Sequence, residues 1–216
     1  MIMPDGAQVF TADAKSMHIN IDTTIGIHSV REFLDVNKEK LSPDFPSYLF
    51  LEVWEAVMQN NIFSFGETYW LQLTGTVMGT PAACVYATVT YGNYENNLLL
   101  PKIQDNLLYY HCYIDDVLGI WLPPTNNAHN TWDDFKSQLN HGGSLKWHIE
   151  EPSNKTTFLD PNIAIQNSSI TFSTFQKPLS LYLYLPPLSA HPRSCLKGLV
   201  QGELNRYWTQ NAPSNF

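Results

Sequence analysis

Two adjacent aspartates, Asp115 and Asp116, interrupt the apolar run LLYYHCYIDDVLGIWL between Leu107 and Leu122. Two unpaired carboxylates about 4 Å apart repel by about 1–4 kcal/mol, depending on the local dielectric. A hard divalent cation with oxygen ligands relieves such a pair. Aspartates also serve ordinary turns, where their side chains bond nearby backbone N–H groups, so the pair alone leaves both readings open. A third carboxylate, Asp13, ends the short β-prone run that begins at Gln8. Two-metal phosphoryl transfer needs carboxylates from separate strands around ions about 3.5–4 Å apart. Asp13 and Asp115 can bracket such a point; a merely solvated strand end is the alternative for Asp13.

The elements that must position these acids are legible in the flanking pattern. Aromatic and β-branched residues on both sides of the pair predict antiparallel strands over Tyr109–Trp121 with the acids at the turn. That turn lacks the glycine that favours a tight hairpin. Between Asp13 and the pair lies YWLQLTGTVMGTP, Tyr69–Pro81, with Gly75 and Gly79 flanking a methionine and Pro81 able to open a helix. Glycines there let the backbone approach a flat partner such as a base pair, or simply form a loop before a core helix.

The remaining pattern is mixed. Thr23 or Thr24 is the expected cap of a helix through Ile25, Val30, Phe33 and Leu34. A second helix is expected from Pro46 to Asn60, with Leu49, Val53, Trp54, Val57 and Met58 at helical spacing. A hairpin turning at Gly66–Glu67, a helix behind Pro81 and another over Thr131–Leu139 follow. A strand over Leu145–Ile149 and a hairpin across Phe158–Thr174 complete the body, and Pro186–Pro187 marks a break before the terminal segment. Strands and helices do not strictly alternate, so the fold class is α+β.

In order, KSMHINI after Asp13, QLTGTVMGTP, YIDD and TFQKP resemble the palm of a reverse transcriptase, most closely those of Penelope-like retroelements. There the equivalent stretches read like DVxSLYTNIP, QxxGxxMGxxxAP and YxDD, followed by FLD and a Lys-Pro segment. This chain carries FLD at Phe158–Asp160, KP at Lys177–Pro178 and HP at His191–Pro192, in the same order. The resemblance runs from about Phe10 to Trp208. It implies a palm with an antiparallel sheet, an Asp-Asp hairpin and packed helices over residues 1–175, then a primer-grip and thumb-like segment over 176–216.

The resemblance also implies roles. Asp13, Asp115 and Asp116 become the catalytic, metal-binding carboxylates, with the Ala14 carbonyl assisting, and the cofactor is Mg²⁺ or Mn²⁺. His18 falls where a bulky aromatic usually screens the sugar 2′-hydroxyl. Gln72, Gly75, Met78 and Gly79 match the segment packing on the nascent base pair and template. Lys146 lies near the position of a general-acid lysine, and Phe175–Pro178, with Lys177, matches the primer grip. The partners implied are an RNA template, a DNA primer and dNTPs, with RNA-templated RNA synthesis or a non-catalytic retroelement remnant as alternatives. Only 12 residues precede Asp13, so the expectation is a palm without fingers, incomplete or inactive alone, with missing modules on neighbouring reading frames.

Composition is that of one globular domain: 216 residues, 44% hydrophobic, can bury a substantial core. A formal net charge of −8 argues against a stand-alone nucleic-acid binder. The basic residues nonetheless gather late, and Lys177, Arg193, Lys197 and Arg206 face one acid, Glu203, in the final segment. Cys84, Cys112 and Cys195 have neither paired nor zinc-like spacing, and the seven His form no zinc motif. The N-terminus shows no secretory pattern and no stretch is apolar enough to span a membrane, so the expected location is intracellular, nuclear or cytoplasmic.

Overall fold

The strand β1 (Gln8–Ala14) alternates residues suited to opposite environments, and the fold is built around it. In the computed structural model, which describes residues 2–103, 105–124, 131–141, 145–179, 184–186 and 188–211, Phe10, Ala12 and Ala14 are buried while Asp13 is exposed. After β1 come a single helical turn, α1 (Met17–Asn20), then α2 (Thr23–Val36) and α3 (Ser47–Gln59). A separate hairpin, β2 (Ile62–Phe65) and β3 (Thr68–Leu71), precedes α4 (Pro81–Tyr94). That helix continues through a π-helical stretch, Glu95–Leu99, into α5 (Leu100–Ile103). Next are β4 (Leu107–Tyr113), β5 (Asp116–Trp121), α6 (Trp132–His141) and β6 (Trp147–Ile149). The chain then forms β7 (Lys155–Thr157), β8 (Pro161–Gln166), β9 (Ser169–Thr174) and α7 (Arg193–Gln210).

The central sheet has the order β4-β5-β1-β6 and is antiparallel throughout. One face is covered by helices. Phe10, Val117, Trp121 and Trp147 of the sheet pack with Val30 and Leu34 of α2, Tyr86 of α4, and Phe135 and Leu139 of α6. Phe10 lies at 4.9 Å from Trp132 and 5.1 Å from Phe135, both edge-on. Opposite Phe10 stands Gly119, where a side chain would land on the ring. Each such large side chain, fully buried, contributes about 1.5–3 kcal/mol relative to exposure.

The other face is only half covered. Val9 and Ile120 are closed over by Met3 and by Ile163 of the second sheet, β7-β8-β9. The upper half, with Thr11, Asp13, Asp116 and Leu118, stays partly or fully accessible.

The expected hairpins and helices are present, with local differences. The cap of α2 is Asp22 rather than Thr23 or Thr24; its side chain accepts from the Ile25 N–H at 3.0 Å. An Asp at that position satisfies an orphan helix donor as well as a Thr does, and pattern alone does not separate neighbours. The expected strand from Leu145 begins at Trp147. Of the expected break at Pro186–Pro187, Pro187 lies outside the described residues. Among the described residues no helix is long and apolar enough to cross a membrane.

Candidate active site

The β1–β5 register sets Asp13 directly opposite Asp116. Directly opposed residues in an antiparallel pair project to the same side, with Cβ atoms about 4.5–5.5 Å apart. The same ladder puts Thr11 opposite Leu118, so both acids lie on the accessible half-face rather than against the helices. On the other side of β1, Asp13 is opposite His148 of β6. Glu150 follows at the next position of that parity, and its Oε2 accepts from Thr11 Oγ1 at 2.9 Å and Thr156 Oγ1 at 3.1 Å.

Asp115 occupies the turn between β4 and β5 with Ile114. Its carbonyl accepts from the Ala14 N–H at 2.9 Å, which ties the turn to the end of β1. Ile114 adopts a φ of 58°, a region that β-branched residues rarely occupy and that a tight hairpin usually gives to glycine. The absence of glycine from this turn, visible in the sequence, therefore appears in the structure as local backbone strain beside the acids.

Electrostatics agree with the register. Partial burial pushes the Asp116 carboxyl above its ordinary range, and the negative charges of Asp115 and then Asp13 push it further. A cavity of about 190 Å³ opens over the two facing acids, with His148 and Glu150 on the sheet side and Phe158 and Leu159 as its far wall. Leu159 is itself held at a φ of 55° and is half exposed.

Of the residues singled out in the sequence, Asp13, Ala14, Asp115 and Asp116 are thus brought together. His18 sits on α1 with its Nδ1 buried and without a hydrogen-bond partner. Its carbonyl accepts from the Thr76 N–H at 2.7 Å, and the Gly75 N–H donates to the Ile21 carbonyl at 3.0 Å. A Cβ on Gly75 would strike the His18 carbonyl and come within 2.5 Å of Ile19 Cα. The flat partner that this glycine approaches is the chain's own α1. Gln72 is half buried and donates to the Thr74 carbonyl at 2.8 Å. Met78 is 71% exposed, and Gly79 has a φ of 94° in open space. Lys146 is exposed, and its carbonyl accepts from the Lys15 N–H at 2.8 Å, two residues from Asp13. Lys177 is exposed beyond β9.

Sequence reasoning overlooked His148, Glu150 and Leu159 as cavity residues. The first two share the parity of an alternating run, LKWHIEE, which was the available signal. Among the described residues no three His, Cys, Asp or Glu side chains converge closely enough to hold a metal ion between them. The facing pair offers hard oxygen donors, and Mg²⁺ is commonly held by one or two carboxylates together with water and substrate phosphates. The donor set therefore fits a divalent cation that shares its shell with substrate.

No family model matches the chain. No curated protein matches it. Solved structures do. The telomerase of Candida albicans in complex with a fragment of telomeric RNA is 13% identical with a TM-score of 0.57, over 79% of this chain and 32% of that one. Apo telomerase from Candida tropicalis, truncated of its C-terminal domain, is 15% identical with a TM-score of 0.54, over 76% and 35%. The BmCPV RNA-dependent RNA polymerase at the elongation state is 20% identical with a TM-score of 0.55, over 80% and 16%. The likeness is one of fold, α+β with an antiparallel sheet, and the chain spans about a third or less of these polymerases.

Proposed function

We propose that the chain is the palm of an RNA-directed DNA polymerase, in which a primer 3′-hydroxyl loses its proton, attacks the α-phosphate of a dNTP and displaces pyrophosphate as the bond to the β-phosphate breaks. The observation that carries this reading is the opposition of Asp13 and Asp116 on the accessible half-face, with Asp115 tied to β1 through Ala14. A Mg²⁺ or Mn²⁺ bound there would act as a Lewis acid on the transferring phosphoryl group and ease deprotonation of the attacking hydroxyl. Asp13 and Asp116 would hold it, with Asp115 adding charge at the turn. Thr11, Glu150 and Thr156 brace the floor beside them. Phe158 and Leu159 wall one side of the cavity.

The template and primer roles are proposals on the same footing. Met78 presents an exposed apolar side chain next to the open backbone of Gly79, which suits contact with a base pair. Gln72, Gly75 and His18 would support that loop, with Lys146 as a proton donor near the site and Lys177 in a primer grip that opens the segment 176–216. The likeness to RNA-dependent RNA polymerases favours RNA-templated RNA synthesis as the second reading.

Titration of the purified chain with Mn²⁺ tests the site. Binding that is lost in Asp13→Asn and in Asp116→Asn is the expected result; an affinity indifferent to both variants overturns the assignment and leaves the non-catalytic remnant. Extension of a primed RNA template separates the polymerase readings: incorporation of dNTPs that disappears in Asp115→Asn supports the first, and preference for NTPs supports the second. Extension by this chain alone should be weak, because a net charge of −8 disfavours strand capture.

A further inference from the structure

We propose that Glu95 is a positioning residue for the carboxylate hairpin, fixing from behind the strand that leads into Asp115 and Asp116. The inference rests on the reading of that hairpin as the cation site. Glu95 opens the π-helical stretch that follows α4 and is only 8% exposed. Its Oε1 accepts from the Tyr110 hydroxyl at 2.6 Å and from the Cys112 thiol at 2.7 Å. Both donors lie on β4, at alternate positions facing the helices, and Cys112 is three residues before Asp115.

The placement is costly in physical terms. Neither donor carries a positive charge, and burial pushes the Glu95 carboxyl up despite the opposing effects of Cys112, Tyr110 and the charge of His111. Apolar side chains of similar shape in place of Glu95 and both of its donors would usually cost less than a buried charge. What a carboxylate adds is direction, because two hydrogen bonds to one oxygen fix the height and rotation of β4 against the end of α4. A π-helical winding, which adds a residue to the turn, is a common device for aiming one side chain at a functional site. Beside the network lies a cavity of about 260 Å³ lined by Glu95, Tyr110, Cys112 and Ile114. It gives the strand and its strained turn room to shift once the two bonds are gone.

A positioning role changes Ala14 exchange and Mn²⁺ affinity in the folded chain beyond what the loss of stability accounts for, whereas a merely structural one changes them only together with stability. Wild type, Glu95→Gln and Glu95→Leu are compared in thermal unfolding, in hydrogen exchange of the Ala14 amide that bonds the Asp115 carbonyl, and in Mn²⁺ titration. Glu95→Leu leaves the partly buried Tyr110 hydroxyl and Cys112 thiol without their acceptor and should unfold at a lower temperature. While still folded it should exchange Ala14 faster and bind Mn²⁺ about tenfold more weakly, as for lost outer partners of a metal ligand. Glu95→Gln, which keeps an acceptor oxygen, should restore most of both. If Glu95→Leu fails to fold, Tyr110→Phe removes one of the two bonds and should move exchange and affinity in the same direction. Wild-type exchange at Ala14 in these variants overturns the inference, as does a loss of affinity that only follows a loss of stability. A wild-type chain that binds no Mn²⁺ overturns the site reading instead, and Ala14 exchange still decides the role of Glu95.

Discussion

Asp13 and Asp116 occupy opposing positions on antiparallel strands and share one accessible half-face. Like charges placed so are destabilising, so the fold carries a local cost at the place where a cation would reverse it. Their separation in sequence is bridged by the pairing of β1 with β5, and the Ala14–Asp115 bond closes the end of that ladder.

Removing one charge should therefore stabilise the chain. In buffer with chelator at neutral pH, Asp116→Asn should raise the unfolding free energy by about 0.2–1 kcal/mol. Urea denaturation of the two proteins measures it. Added Mn²⁺ should stabilise wild type and leave the variant unmoved.

The same acid gives a pH dependence with a definite sign. The folded chain raises the Asp116 pKa, through burial first and then Asp115 and Asp13. The protonated form is thus favoured by folding, and its stabilising contribution is complete below the unfolded value of about 3.9 and lost as pH rises through the folded one. The stability difference between Asp116→Asn and wild type should shrink as pH falls through that window. Mn²⁺ affinity should fall over the same range, because the proton competes for the ligand.

The two glycines of the loop before α4 should respond differently to alanine. Gly75→Ala meets both a φ of 71° and the backbone of His18 and Ile19, and should cost about 2–3 kcal/mol or prevent folding. Gly79→Ala meets a φ of 94° but open space, and should cost about 1 kcal/mol. Equal losses in chemical denaturation would contradict this account.

At the start of α2, Asp22→Ala should cost about 1 kcal/mol through the lost bond to the Ile25 N–H. Tyr86→Phe, which removes the hydroxyl bonded to the Asp22 carbonyl at 2.9 Å, should cost about 1 kcal/mol. The two side chains serve the same helix end, so the double variant should show coupling rather than simple addition.

What was legible in the sequence was local. The aspartate hairpin follows from the aromatic and β-branched residues on both sides of the acids, and α3 and α4 follow from their spacing and from Pro81 at the first turn. Non-local geometry was hidden. The three acids suggested Asp13 with Asp115, whereas the ladder pairs Asp13 with Asp116, a one-residue distinction that depends on strand register. Gly75 advertised a close approach, but only the fold identifies α1 as its neighbour. Glu95 sits in the polar string NYENN, which reads as a solvated helix end; its burial follows from π-helical winding and from donors 15 and 17 residues away.

The parity of β1 makes the site hard to build wrongly. Phe10, Ala12 and Ala14 point into the helical core while Thr11 and Asp13 point out. Sliding this strand by one residue would drive Asp13 into the aromatic cluster and turn Phe10 out to water. A displaced site therefore cannot coexist with an intact core, and the packing of the hidden side proofreads the alignment of the acids on the visible one.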